Sequence, residues 1–185
     1  MLTEDQLNSI AHWTHRGAEA GQASLREMHA ADSGLEVRNI HCTSLAELPE
    51  KVACFDGECV AGVMSRFQGG VCGTALLAMD PEDALTWVRS NPGKNEDVLE
   101  SFVRLGKVVQ ANLVSEIGAG LGHEVESSSA ELWEDSVPLI LLATRAPSDT
   151  AVVTVSILVA AGYDVLPMQI YLMIESKLLC TALAA

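Results

Sequence analysis

The sequence predicts a single α+β domain in which an antiparallel sheet is covered by long helices and two halves form a pseudo-two-fold repeat. Three observations carry this. The tract Gly34-Leu-Glu-Val37 followed by Ser44-Leu-Ala-Glu-Leu-Pro-Glu50 recurs as Gly122-His-Glu-Val125 followed by Ser128-Ser-Ala-Glu-Leu-Trp-Glu134. Each copy leads into two apolar runs that meet at a turn, Gly69-Gly70 in the first and Gly162-Tyr163 in the second, as β-hairpins do. Each copy also follows a long stretch with apolar residues at helical spacing. Two copies are too few for a solenoid, so they are expected to close into one domain, with half-repeats at about 1–91 and 94–185.

Taken in order, residues 3–30 read as a long helix. Thr3-Glu-Asp-Gln6 is a capping box, and Leu7, Ile10, Trp13, Ala20 and Leu25 supply the apolar positions. Residues 35–42 read as a strand, and 45–53 as a short helix with Ser44 at its N-cap. Residues 58–67 and 71–79 form a hairpin turning at Gln68-Gly-Gly70. Asp80-Pro81 places an N-cap before proline at the first helical position, which opens a helix to about Arg89. Ser90-Asn-Pro-Gly93 is the connector between halves. The second half repeats the order: a helix over 96–119, a strand over 123–126, a helix over 130–143 weakened by Pro138, a hairpin over 151–174 and a last helix from Glu175.

Composition bounds the function. The 185 residues, 49% apolar and 19% charged, fit one globular domain. With 25 acidic against 11 basic residues the net charge is −14, which repels nucleic acid and anionic lipid, so neither is expected as a partner. Lys is confined to positions 51, 94, 107 and 177. An acidic, Lys-poor chain fits a high-salt cytoplasm, where screening relieves self-repulsion, and equally an ordinary acidic bacterial protein. Five Cys, an odd number without Cys-x-x-Cys, and a polar, acidic start imply a cytoplasmic chain. Most of the Cys, including Cys72 and Cys180, are expected to act as small core hydrophobes. Residues 151–174 carry one charge, Asp164, but Gly162, Pro167 and the β-branched residues make them a buried hairpin and not a membrane span. No phosphate loop, nucleophile elbow or zinc signature occurs, so no cofactor is expected.

Several segments resemble the CheC/CheX/FliY family of chemotaxis phosphatases, which act on the phosphorylated regulator CheY. They are Arg16-Gly-Ala-Glu-Ala-Gly-Gln-Ala-Ser-Leu-Arg-Glu-Met28, then Phe67-Gln-Gly-Gly-Val-Cys-Gly-Thr-Ala-Leu-Leu-Ala-Met79 with the helix after it, and Glu100-Ser101 through Leu105-Gly106. Together with the repeat they cover nearly the whole chain, and two halves favour CheC over CheX. The resemblance implies a Glu and, three residues on, an Asn on each long helix. The Glu would hold the regulator's Lys and the Asn would orient water toward the aspartyl phosphate.

Here the pattern departs. Aligning on Gly17-Ala18 puts His12 and His15 at the pair's positions, and aligning on Asp5 puts Ser9 and His12 there; on the second helix, aligning on Gly106 gives Arg104 and Lys107, and aligning on Ser101 gives Leu105 and Val108. The chain's one Glu-x-x-Asn, Glu36 to Asn39, falls in a strand, and no acid–amide pair at that spacing is expected on an exposed face of either long helix. Arg104 and Lys107 would repel the regulator's Lys and cannot act as both donor and acceptor toward water. The resemblance therefore implies a catalytically impaired binding member. Its partners would be a CheY-type regulator, the deamidase CheD, a CheC-like paralogue or a second copy, met through His12, His15, Arg104 and Lys107. The alternatives are an active phosphatase with a divergent motif and a metal-binding sensor through His12, His15 and Glu19, which share a helix face.

Overall fold

The computed structural model describes residues 3–28, 34–48, 59–91, 97–175, 179 and 183. The capping box forms as the sequence requires: Gln6 N–H donates to Thr3 Oγ1 (3.3 Å) and Thr3 N–H to Gln6 Oε1 (2.9 Å), opening helix α1, Glu4–Met28. Strand β1 (Leu35–Ser44) and the hairpin β2 (Cys59–Gly69) and β3 (Gly73–Met79) follow. Gly69, at φ +140°, turns that hairpin. Asp80 caps α2 (Pro81–Ser90) by accepting from the N–H groups of Glu82 and Asp83. The second half comprises α3 (Val98–Gly120), β4 (Val125–Ser136), α4 (Val137–Ala143) and the hairpin β5 (Ala151–Ala161) and β6 (Asp164–Ile174).

All six strands pair antiparallel in the order β1-β5-β6-β3-β2-β4. Exchanging β1 with β4, β2 with β5 and β3 with β6 returns the same order reversed. The two hairpins meet at β3–β6, and each half's first strand lies on the other half's hairpin, β1 on β5 and β4 on β2. One sheet face carries α1, α2 and α3 over a core that includes Val63, Leu77, Val155 and Ile170, with Trp87 and Phe102 in an edge-on ring contact at 6.1 Å. The other face carries α4 and Leu48 over Val60, Leu76, Val152 and Tyr171. Among the described residues no helix is long and apolar enough to cross a membrane, and 151–174 is the hairpin β5–β6.

Three local expectations are corrected. The helix over 130–143 survives only as α4, because β4 continues through 128–134 along β2 from Gly69↔Val125 to Cys59↔Ser136. Pairing with the neighbouring strand outweighs the helix propensity of Ala130-Glu-Leu132. Pro138 then stands at the start of α4, where its missing N–H costs nothing. The recurrence of 44–50 in 128–134 is for the same reason not a structural equivalence, since Ser44 ends β1 and 45–47 form a turn. Cys59 and Cys72 are exposed and not core residues. The rest of the helix over 45–53, Cys180 and most of the helix from Glu175 lie outside the described residues, although Leu179 N–H donates to Glu175 O and Leu183 N–H to Leu179 O at helical spacing.

Candidate functional site

The two long helices run antiparallel against each other. Gly17 makes the close approach possible: a Cβ there would stand 2.7 Å from Leu113 Cα. Arg16 pairs with Glu116 at 2.9 Å, and Asn112 Nδ2 donates to Ser24 Oγ at 3.3 Å across a sequence separation of 88. Gly21 packs on Val109 at the same separation. Laying α1 on α3 by this shift matches buried residue to buried residue: Thr14 to Phe102, Gly17 to Leu105, Ala18 to Gly106, Gly21 to Val109 and Leu25 to Leu113. On the outward side it matches His12 to Glu100, His15 to Val103, Arg16 to Arg104 and Glu19 to Lys107.

His12, His15 and Glu19 are exposed on one face of α1, as their spacing predicts. No group of three side chains able to share a metal ion occurs among the described residues. Arg104 and Lys107 lie on α3 beside an open groove of about 440 Å³, with Leu99, Glu100, Val103 and Leu132 of β4 as its other walls. Because the helices are antiparallel, the histidine pair and the Arg104–Lys107 pair sit at opposite ends, with His12 and Lys107 roughly 16 Å apart along the axes at about 1.5 Å per residue. The four residues singled out in the sequence therefore form two separate surfaces.

Two features escaped sequence reasoning. The expectation of no exposed acid–amide pair is corrected, since Asp5 and Asn8, three residues apart, are both exposed at the start of α1. Glu19 and Gln22 have the same spacing, but Gln22 Oε1 is occupied by the Leu35 N–H at 2.9 Å. The second feature is Gln110, fully buried in α3. Its Nε2 donates to Val63 O (2.6 Å) and Ala75 O (3.2 Å), and its Oε1 accepts from Ser65 Oγ (2.9 Å), which ties α3 to the β2–β3 hairpin. A glutamine at a core-facing helical position was the available signal, because a buried amide needs partners.

The fold, with its paired long helices over one antiparallel sheet, is the one seen in solved structures of FliY, the FliM middle domain and CheX. The chain is similar to Thermotoga maritima FliY over 98% of its length and 96% of that chain, with a TM-score of 0.67 at 12% identity. It is similar to the Helicobacter pylori FliM middle domain over 99% of both chains (TM-score 0.63, 9% identity). It is also similar to a chain of the Borrelia burgdorferi CheX–CheY–BeF3–Mg complex, over 89% of this chain and 98% of that one (TM-score 0.51, 14% identity). No protein-family model and no curated protein matches the chain by sequence.

Proposed function

We propose that this protein is a CheC-like signalling protein that binds a CheY-type regulator without hydrolysing its aspartyl phosphate, and that the binding face is the outward side of α3. The observation that carries the reading is the match of Glu100 and Val103 to His12 and His15 across the helix pair. If the histidines stand at the family's Glu and Asn positions, the second helix keeps the Glu, as exposed Glu100, and replaces the Asn by valine. Glu100 supplies the carboxylate that would hold the regulator's Lys. Val103 has no amide, so it can neither donate to nor accept from an attacking water. This revises the register that put Arg104 and Lys107 at the pair's positions: they stand beyond it on the same groove, where exposed Lys107 suits an acidic group at the rim of the partner. The first helix, with His12 and His15, holds neither member of the pair. CheD, a CheC-like paralogue and a second copy are the other partners the fold class makes reasonable, and they would compete for the same helices.

The test is decay of the phosphorylated regulator of the same organism at native salt. The wild-type protein is expected to leave the decay rate unchanged while binding the regulator. Val103→Asn, which restores the pair with Glu100, is expected to accelerate it. Asp5 and Asn8 favour a second reading, an active phosphatase with a displaced acid–amide pair. Acceleration by the wild-type protein that is lost in Asn8→Ala would establish that reading instead.

A further inference from the structure

The sheet face opposite the long helices carries a cleft of about 380 Å³ near the end of α4. Its floor and walls come from Met64 and Arg66 of β2, Thr74 of β3, Glu131 and Trp133 of β4, and Ala143. The register explains the convergence. Met64 stands opposite Glu131 and Gly62 opposite Trp133, while Arg66 stands opposite Thr74 on the other side. Pairing between β2 and β4 is interrupted at Arg66, between Ser65 and Phe67, and Arg66 N–H turns to Ser128 Oγ at 3.1 Å. Such bulges re-aim side chains and cluster beside binding sites.

The cleft holds one cation and one anion that do not neutralise each other: among the described residues neither Arg66 nor Glu131 makes an ion pair. Trp133 lines the same cleft, and its indole N–H is buried with no hydrogen-bond acceptor, so that N–H is not available to a ligand in the cleft. An aromatic surface beside a carboxylate favours an organic ammonium, and a guanidinium favours a carboxylate. A net anion would also work against the −14 charge of the chain, whereas a ligand carrying both signs would not.

We propose that this cleft binds a small zwitterion of the α-amino acid class, with its carboxylate on Arg66 and its ammonium between Glu131 and the ring of Trp133. The volume lies at the lower end of small-molecule pockets and leaves room for an apolar side chain against Met64 and Ala143. The site is on the sheet face opposite the long helices, so it does not depend on how the protein meets a regulator.

The probe is L-leucine, titrated by calorimetry into the full chain, with 4-methylpentanoate (no ammonium) and L-leucinamide (no carboxylate) as controls. Leucine is expected to bind saturably at or below about 10 mM, and each control roughly tenfold more weakly. Arg66→Gln should weaken leucine but not leucinamide, and Glu131→Gln should weaken leucine but not 4-methylpentanoate. Both substitutions are at exposed positions, and unchanged circular dichroism would show that each variant is folded. Absence of leucine binding, equal binding of a control, or weakening without this matched pattern would each overturn the proposal.

Discussion

Helix α1 and helix α3 are packed alike and surfaced differently. Inward, Thr14, Gly17, Ala18, Gly21 and Leu25 correspond to Phe102, Leu105, Gly106, Val109 and Leu113, all buried. Outward, α1 shows His12, His15 and Glu19, while α3 shows Glu100, Val103 and Lys107 along a groove. Ile10 is 1% exposed, yet its counterpart Val98 is 42% exposed and the adjacent Leu99 is 49% exposed. The shared interior fixes the helix pair because close packing tolerates few changes. The surfaces are free to diverge, and a functional difference between the halves should be sought there.

The largest expected effect tests the interior. Gln110→Ala would strip partners from Val63 O, Ala75 O and Ser65 Oγ and leave a cavity, so it should cost about 3–5 kcal/mol. Its counterpart on α1, Gln22, accepts one backbone bond at a half-buried position, and Gln22→Ala should cost only about 1 kcal/mol. Urea unfolding of the two variants measures the difference. Equal losses would mean that the amides are equivalent and that the halves are not anchored to the sheet differently.

Gly17→Ala should follow, at about 2–3 kcal/mol, because its Cβ would meet the Leu113 backbone, which cannot step aside. Gly106→Ala meets Val63 Cγ2 at 2.8 Å and Cβ at 3.0 Å, atoms of a buried β-branched side chain that can shift a little more than a backbone, and should cost about 1–2 kcal/mol. Thermal unfolding ranks the pair, and a reversed order would move the tight contact from helix–helix to helix–sheet. Exposed His12→Ala and His15→Ala should change stability by less than about 0.5 kcal/mol each, measured the same way.

The smallest effect is a pH dependence at α2. Partial burial, and then the carboxylates of Asp80, Glu82 and Asp164, hold the Asp83 carboxyl above its ordinary 3.8. A raised folded value means the ionised form is the less comfortable one in the fold. The penalty is absent below 3.8 and appears as pH rises through the raised value. Asp83→Asn should therefore raise the melting temperature slightly at neutral pH, with the gain closing in acid.

Much of the fold was legible because its signals are local. The Thr3–Gln6 capping box, Asp80-Pro81, and the turns at Gly69 and Gly162 act through bonds and dihedrals within a few residues. What was misread or missed depends on distant partners. Residues 128–134 become strand because β2 lies beside them, and Gln110 is a core residue because two strand carbonyls reach it. The site was legible only in part for the same reason. His12 and His15 follow from the Gly17-Ala18 step, but the matching register on α3 comes from the Ser24–Asn112 contact, which joins residues far apart in sequence.

The central claim, that the α3 face holds the regulator and the α1 face does not, is tested most directly by the affinity of Glu100→Gln and His12→Gln for the phosphorylated regulator at native salt. Loss of the carboxylate at position 100 should weaken binding roughly tenfold or more, with His12→Gln unchanged. Unchanged binding in Glu100→Gln, or a larger loss in His12→Gln, would contradict the account.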